Sequence, residues 1–424
     1  MRRYVLLLFI FSAVGVAGRA LLAQAPQPPV TVIRAGKLID PATGQVTSNQ
    51  SIVVTGNRIT SVGATAEVHP GSAYIDLSQS TVMPGVMDMH THMCMDVVPG
   101  RDHGNYYLTT LFDPDSLRSV EGLINAKSML EAGFTTIRDV GNEGNYACTS
   151  VRQVISQGRT TGPTIYNAGR IIAPYGGQFQ LQPGRRNLGE PEYAFADTRD
   201  EMVKAIRENL HYGALVIKIV VDDQRYIYSP EDIKFMIDEA ARGGAKLAAH
   251  VWTTEGAHNA AVAGVASMEH LNGVADADLE LAKKNGVTAV FTPFPVSALD
   301  MFRGEPGSGK AEFAMEIDRL KAGRKVGIPI AFGSDAIMEL PGKTRGQTTM
   351  EWIDSYVAAG FTPAELLKAM TTTPAKLLGI EARVGVIKAG MIADIIAMPA
   401  NPLDNPQALK QVNFVMKGGK VIVK

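Results

Sequence analysis

The sequence predicts an α/β fold: a (β/α)8 TIM barrel carrying a small β-sandwich formed from both chain ends. Three observations carry that prediction. Short β-branched or apolar runs alternate with helix-compatible segments through the middle of the chain, period-2 patterning with turn residues occupies both ends, and the 424 residues exceed what one ordinary core supports. With 46% hydrophobic and 20% charged residues, the chain can pack a large core and does not belong to the disordered class. Two cysteines, Cys94 and Cys148, are too few to staple a chain of this length. The 41 basic residues against 42 acidic ones create no field for a polyanion, so nucleic acid is not an expected partner.

Residues 1–25 read as a secretory signal peptide. Arg2 and Arg3 precede an apolar run from Tyr4 to about Gly18, and small residues follow at Ala23-Gln24-Ala25. The run is short for a bilayer span and Arg19 breaks it, so no stable membrane anchor is expected after cleavage, a retained anchor being the competing reading. Cleavage removes three arginines and no acid, leaving 38 basic against 42 acidic residues. The expected product is exported, periplasmic or extracellular, and mildly acidic.

Residues 30–85 alternate apolar and polar positions (TVIRAGKLID, SIVVTGNRITSVG, SAYIDLSQSTVMPG), and residues 385–424 repeat the style through MIADIIAMPANPL and VNFVMKGGKVIVK. That patterning predicts one β-sandwich domain completed from both ends. Residues 86–384 hold the barrel. Its eight strands are predicted in VMPGVMDMHTHM, TTIRDVG, PTIYNAGRIIA, ALVIKIVV, KLAAHVW, ASMEHLNG, TAVFTPF and PIAFGSDA. Segments such as EGLINAKSMLEAG, PEDIKFMIDEAARGG, TEGAHNAAVAG and PAELLKAMTTTPAKLLG supply helices. In such barrels the functional residues sit at the C-terminal ends of the strands.

The histidines test that placement. Of the eight in the chain, His90, His92, His250 and His270 fall on or at the ends of predicted barrel strands. His90 and His92 share one face of a strand and can grip one metal ion, with Asp88 a step deeper. Taken alone, an HxH pair reads first as two ordinary strand histidines; its position after PGVMD, at the end of strand one, tells against that. Lys218 stands inside ALVIKIVV, where a charged ammonium is costly, and a buried ion pair is its structural alternative. His69, His211 and His258 read as structural, Asp139 as an internal hydrogen-bonding residue, and Cys94 as a small buried one.

Together, D-x-H-T-H on strand one, a lysine on strand four, single histidines ending strands five and six, and G-S-D on strand eight resemble the metal-dependent amidohydrolase superfamily. The resemblance covers residues 30–424 and is closest to the imidazolonepropionase-like branch that includes Xaa-Pro dipeptidases and ochratoxin-type amidases. AGFTTIRDVG, LAAHVWTTEGAHNAAVAGVASMEHLNG and FTPAELLKAMTTTPAKLLGIEARVGVIKAGMIADIIAMPANPL support it. It implies a metal-dependent hydrolase acting on an amide or peptide C–N bond of a small substrate, a dipeptide such as Xaa-Pro or an N-acyl amino acid. Two divalent ions, zinc by default, are implied, held by His90, His92, Lys218, His250, His270 and Asp335. Lys218 is expected to be carboxylated and bridging, and Asp335 to act as the catalytic proton acceptor for a water shared by the ions. A homo-oligomer is also implied.

Substrate contacts are proposed at Tyr226 and Tyr228 after strand four, at Gln178 where relatives often carry a loop histidine, at Arg170 and Arg345 as carboxylate partners, and at His103 on the loop after strand one. Two other functions compete: a mononuclear cyclic-amide hydrolase or deaminase, and a non-catalytic scaffold. Lys218 argues against the first, and the occupancy of all six ligand positions against the second.

Overall fold

The computed structural model describes residues 28–65 and 71–424. The expected signal peptide and His69 lie outside these residues. No helix among them is long and apolar enough to cross a membrane.

The N-terminal strands are β1 (Val30–Asp40), β2 (Gln45–Thr55), β3 (Arg58–Gly63) and β4 (Ala73–Pro84). The barrel region holds β5 (Val86–Thr91), β6 (Phe134–Asp139), β7 (Thr164–Asn167), β8 (Ile171–Ala173), β9 (Tyr193–Phe195), β10 (Val216–Val220), β11 (Lys246–Val251), β12 (Ser267–His270) and β13 (Thr288–Val290). The C-terminal strands are β14 (Ile395–Met398), β15 (Phe414–Lys417) and β16 (Lys420–Val423).

Both chain ends enter one seven-stranded sheet of order β16-β15-β14-β4-β1-β2-β3. The expected sandwich is therefore a single sheet that curls on itself. A bridge between Arg58 and Ile392 ties its far edge back towards the start of β14. Alternation along β14 explains how the sheet is held: Ile395 and Ala397 enter the sheet's own core with Ile33, Ile52 and Val82, whereas Ile396 and Met398 enter the barrel core. Both faces are thus buried, and the strand reads as an unbroken apolar run.

The barrel closes around eight positions. Parallel pairs join β5 to β6 to β7 and β10 to β11 to β12 to β13. Leu215 N donates to Asn167 O at 2.8 Å, linking β7 to β10. The expected third strand is broken in two at Ala168–Arg170, and β8 continues it against β10. The eighth run, PIAFGSDA, is not a regular strand, yet it closes the ring. Ala331 N donates to Ala289 O at 3.0 Å on one side, and on the other Met89 N donates to Phe332 O and Asp335 N to His90 O, each at 2.8 Å. Gly333 permits that approach, because a Cβ there would sit 2.3 Å from Val290 and 2.9 Å from the Cβ of His90.

Cys94 and Cys148 form a disulfide, with Cα atoms 5.8 Å apart. Cys94 is buried as expected, but its packing partner is the other cysteine. The bond pins the loop after β5 to the helix Ala147–Ser156.

Candidate metal centre

The mouth of the barrel gathers its side chains through strand register and strained strand ends. Lys218 is the central residue of β10, while its neighbours Ile217 and Ile219 join the main apolar core. In the parallel ladder Val220 is level with His250, and Val251 with His270. The two imidazoles therefore finish adjacent strands with ring centroids 4.7 Å apart. Asn142, Asp223, His270, Thr292 and Asp335 all have positive φ, between 48° and 81°. Each lies at or just beyond the end of a barrel strand. Left-handed backbone at a non-glycine residue costs about 1–3 kcal/mol and collects where surrounding structure enforces it, most often at functional sites.

His90, His92, Lys218, His250, His270 and Asp335 all line one cavity of about 450 Å³. The ligand atoms of His90, His270 and Asp335 lie within 4.8 Å of one another. Asp335 Oδ1 is 3.2 Å from His92 Nε2 and 3.7 Å from His90 Nε2, and its Oδ2 is 3.7 Å from His270 Nδ1. The other end of each strand-one imidazole is fixed. His90 Nδ1 lies 2.8 Å from Glu269 Oε2, and His92 Nδ1 lies 2.7 Å from the Gly141 carbonyl. Both partners only accept, so each ring presents an N–H at Nδ1; on His90 that leaves Nε2 a bare lone pair, while His92 Nε2 faces Asp335 Oδ1.

That lone pair has nowhere else to go. His90 Nε2 is buried with no hydrogen-bond partner among the described residues, and His250 Nε2 faces only the Asp223 carboxylate, at 2.8 Å. Unpaired buried nitrogens are costly, and a cation is the partner that suits a lone pair whose ring is already oriented by a carboxylate or carbonyl. Burial, aided by the charge of Lys218, holds His90 well below the ordinary imidazole range. Burial, with His250 next, does the same to His270. The unprotonated form of each is the metal-binding one. The donor set therefore fits divalent metal.

Lys218 is 2% exposed. The buried ion pair that would account for it structurally does not form: no carboxylate oxygen lies within 4.0 Å of its Nζ among the described residues. Glu269, the nearest candidate in charge, is engaged by Arg138 at 2.7 Å. Burial pushes the Lys218 ammonium down to about 8, against the pull of Glu269 and Asp335.

Deeper in the barrel, Asp88 accepts from His90 N at 2.9 Å, Ser334 N at 3.1 Å and Ser334 Oγ at 2.6 Å, so it braces strand one against the eighth run. Asp139 accepts from Met93 N at 2.6 Å, in keeping with an internal hydrogen-bonding role.

Among the expected substrate contacts, Gln178 lines the cavity, where its Nε2 donates to Asp223 Oδ2 and its Oε1 accepts from Tyr193 Oη, both at 2.8 Å. The others do not line it. Tyr228 is fully buried and its hydroxyl donates to Ala196 O at 2.6 Å, while Tyr226 turns outward, 50% exposed. Arg170 lies over the Tyr146 ring and pairs with Glu208. Arg345 is fully buried, pairing with Asp96 and donating to Ala336 O at 2.8 Å. His103 is exposed and ends the helix Pro99–Asp102 in a left-handed turn. Tyr228, Arg170 and Arg345 stand near the right strands but are carried to structural partners, whereas Tyr226 and His103 turn to the surface. His258 pairs with Asp278 at 2.7 Å.

Sequence reasoning missed three residues. Asp223, in the VVDD that follows Lys218, places Oδ2 2.8 Å from His250 Nε2. Its neighbour Asp222 is fully engaged, accepting from Trp252 N and from Thr253 N and Oγ1. Glu269 was available as an acid on a buried strand beside a candidate ligand. Arg319 stands on the helix Lys310–Val326 and carries no local motif. An apolar wall of Tyr106, Trp252, Phe294, Leu299 and Phe302 completes the cavity.

The chain is similar to known proteins over most of its length. Residues 81–422 match the profile of the Amidohydrolase family. The chain is 30% identical to an ochratoxinase of Aspergillus niger, over 95% of this chain and 88% of that one. It is 24% identical to an imidazolonepropionase of Thermoplasma acidophilum, over 88% of each. Among solved structures, a Xaa-Pro dipeptidase with methionine bound in its active site superposes with TM-score 0.80 at 28% identity, over 93% of this chain and 100% of that one. The A. niger ochratoxinase structure superposes with TM-score 0.78 at 26% identity, over 94% and 96%.

Proposed function

Because the chain belongs to the amidohydrolase family and is a hydrolase acting on carbon–nitrogen bonds, we propose that it cleaves the amide bond of a dipeptide or N-acyl amino acid. The observation that carries this reading is the single cavity lined by four histidines, Lys218 and Asp335, with the buried Nε2 of His90 left unpartnered.

His90, His92, His250, His270 and Asp335 would hold two divalent ions, with Lys218 joining them as a carbamate; zinc suits this imidazole-rich set. Bound there, the ions supply acidification of a water and polarisation of the amide carbonyl. The chain's own residues do the rest. The Lys218 amine, easily deprotonated in its buried position, is the form that reacts with CO₂. Asp335, at the open side of the cluster and within 3.2 Å of His92, takes the proton from the attacking water and passes it to the departing nitrogen. The aromatic wall shields the reacting carbonyl from bulk water and accepts an apolar acyl or side-chain group.

Export is proposed on the N-terminal pattern, and the Cys94–Cys148 disulfide supports it, because such bonds persist in oxidising compartments. N-terminal sequencing of secreted material tests it.

The activity test is a screen of Xaa-Pro dipeptides, Xaa-Arg dipeptides and N-acyl-phenylalanines with metal-loaded protein, alongside metal analysis. Amide turnover with about two ions per chain is expected. Activity confined to cyclic amides with one ion, or no activity and no metal, would overturn the reading.

A further inference from the structure

The cavity has a second polar face away from the six donors. Glu312, Glu316 and Arg319 lie at i, i+4 and i+7 on the helix Lys310–Val326, and all three line the cavity. Apart from histidines, Lys218 and Arg319 are the only basic side chains on the wall among the described residues.

Arg319 is tethered but not neutralised. Its Nη2 donates to Phe291 O at 3.2 Å, its Nε is buried without a partner, and no carboxylate oxygen lies within 4.0 Å of its guanidinium among the described residues. Glu312 is turned to Arg303 at 2.5 Å, and Glu316 accepts from Phe294 N at 2.6 Å. Burial pushes Glu316 up to about 8, so near pH 7 it is mainly uncharged, whereas Arg319, lowered by burial only to about 10, remains a cation. The tether also sets its location. Phe291 precedes Thr292, whose hydroxyl meets His270 Nδ1 at 2.9 Å, so Arg319 stands beside the strand that faces the metal cluster.

We propose that Arg319 is the subsite for a carboxylate of the substrate, making it a specificity-determining residue of the cavity. The inference rests on the amide-hydrolysis reading and assigns the residue that recognises the free carboxylate which dipeptides and N-acyl amino acids share beside the scissile amide. A guanidinium with an unpaired Nε–H can offer a carboxylate two parallel hydrogen bonds, which an uncharged amide cannot match. Of the arginines considered for this role, Arg170 and Arg345 are already committed to acids of the fold.

The test measures binding of N-acetyl-L-phenylalanine and N-acetyl-L-phenylalaninamide by calorimetry to metal-loaded wild type, Arg319→Met and Arg319→Lys. Wild type should prefer the carboxylate by about 30- to 100-fold, the magnitude of a charge-assisted pair. Arg319→Met should erase that preference and leave amide binding within about threefold, at unchanged metal content, and Arg319→Lys should restore part of it. With a hydrolysed N-acyl amino acid, the loss should fall on KM rather than kcat. Equal discrimination by wild type and Arg319→Met, or no preference in wild type, overturns the proposal. If wild type binds the carboxylate through Arg319 but cleaves no amide, the subsite stands and the hydrolysis reading falls.

Discussion

Replacing Glu269 with Gln separates what the buried acid does for the fold from what it does for the metal centre. Glu269 is fully buried; one oxygen accepts from Arg138 Nη2 at 2.7 Å and Ser267 Oγ at 2.5 Å, and the other lies 2.8 Å from His90 Nδ1. A carboxylate only accepts, so three donors converge on it without conflict. Glutamine of the same shape has one accepting oxygen and an NH₂, so one of those donors must meet another N–H. Arg138, itself 2% exposed, also loses its counter-ion, and breaking a buried pair costs about 3–5 kcal/mol. With an unfolding entropy of about 2.1 cal/mol/K per residue over 424 residues, that loss lowers Tm by roughly 3–6 °C. The second effect is chemical. An NH₂ facing His90 Nδ1 moves the ring proton to Nε2 and removes the lone pair from the cavity, weakening metal binding by about 10- to 100-fold. Melting of the metal-free variant and competition with a chromophoric chelator read the two effects separately. Adding Arg138→Met to Glu269→Gln should recover part of the Tm and none of the affinity. If Glu269→Gln melts early but binds metal as wild type does, the tautomer argument is wrong.

Lys218→Ala should reduce metal content from about two ions per chain to one or fewer, and bicarbonate should promote metal uptake by wild type but not by the variant; undiminished binuclear occupancy refutes the bridging role. Glu316 has its pKa raised from 4.5 to about 8 by burial, so the native state holds this proton where the unfolded chain releases it. Its contribution is fully present below pH 4.5 and is lost as pH rises through 8. Glu316→Gln should therefore match wild type in denaturant unfolding at low pH and become progressively the more stable towards pH 8; parallel curves would refute the assignment. Cys94→Ser with Cys148→Ser opens a loop of sequence separation 54, which chain entropy values at about 4 kcal/mol. Thiol titration of the unreduced chain in denaturant should find no free thiol, and one thiol per cysteine would contradict the bond.

Much of the centre was legible in the sequence, for a physical reason. Side chains two apart on a strand share a face and strand ends open on the barrel mouth, so His90, His92, His250, His270 and Asp335 stand out by position, and Lys218 by its charge inside an apolar strand. The substrate-facing residues obey no such period. Arg170 and Arg345 each follow or precede a strand end, yet their guanidinium groups turn to Glu208 and Asp96. Arg319 reaches the cavity from a helix phase that only the packed structure defines. Tyr228 looked like a loop residue and is a core one, because the chain after β10 folds back to donate Tyr228 N to Val221 O. The pairing of Cys94 with Cys148 depends on a helix docking across the loop, which no spacing rule encodes. The eighth barrel run was expected as a strand, and it closes the ring with only a few ladder bonds because its glycine must pass close to His90.

The seven-stranded sheet also constrains the order in which the molecule can be made. Its central pairing sets Pro84 opposite Ile395, so β4 presents an open edge while the three hundred or so residues between them emerge. Such an edge is a template for association with other chains, and pairing across so long a separation is slow. A chain stopped before Ile395 would contain every side chain that lines the metal cavity and still lack the strand that covers β4. Arrival of β14 at β4, rather than formation of the barrel, is then the step that closes this edge.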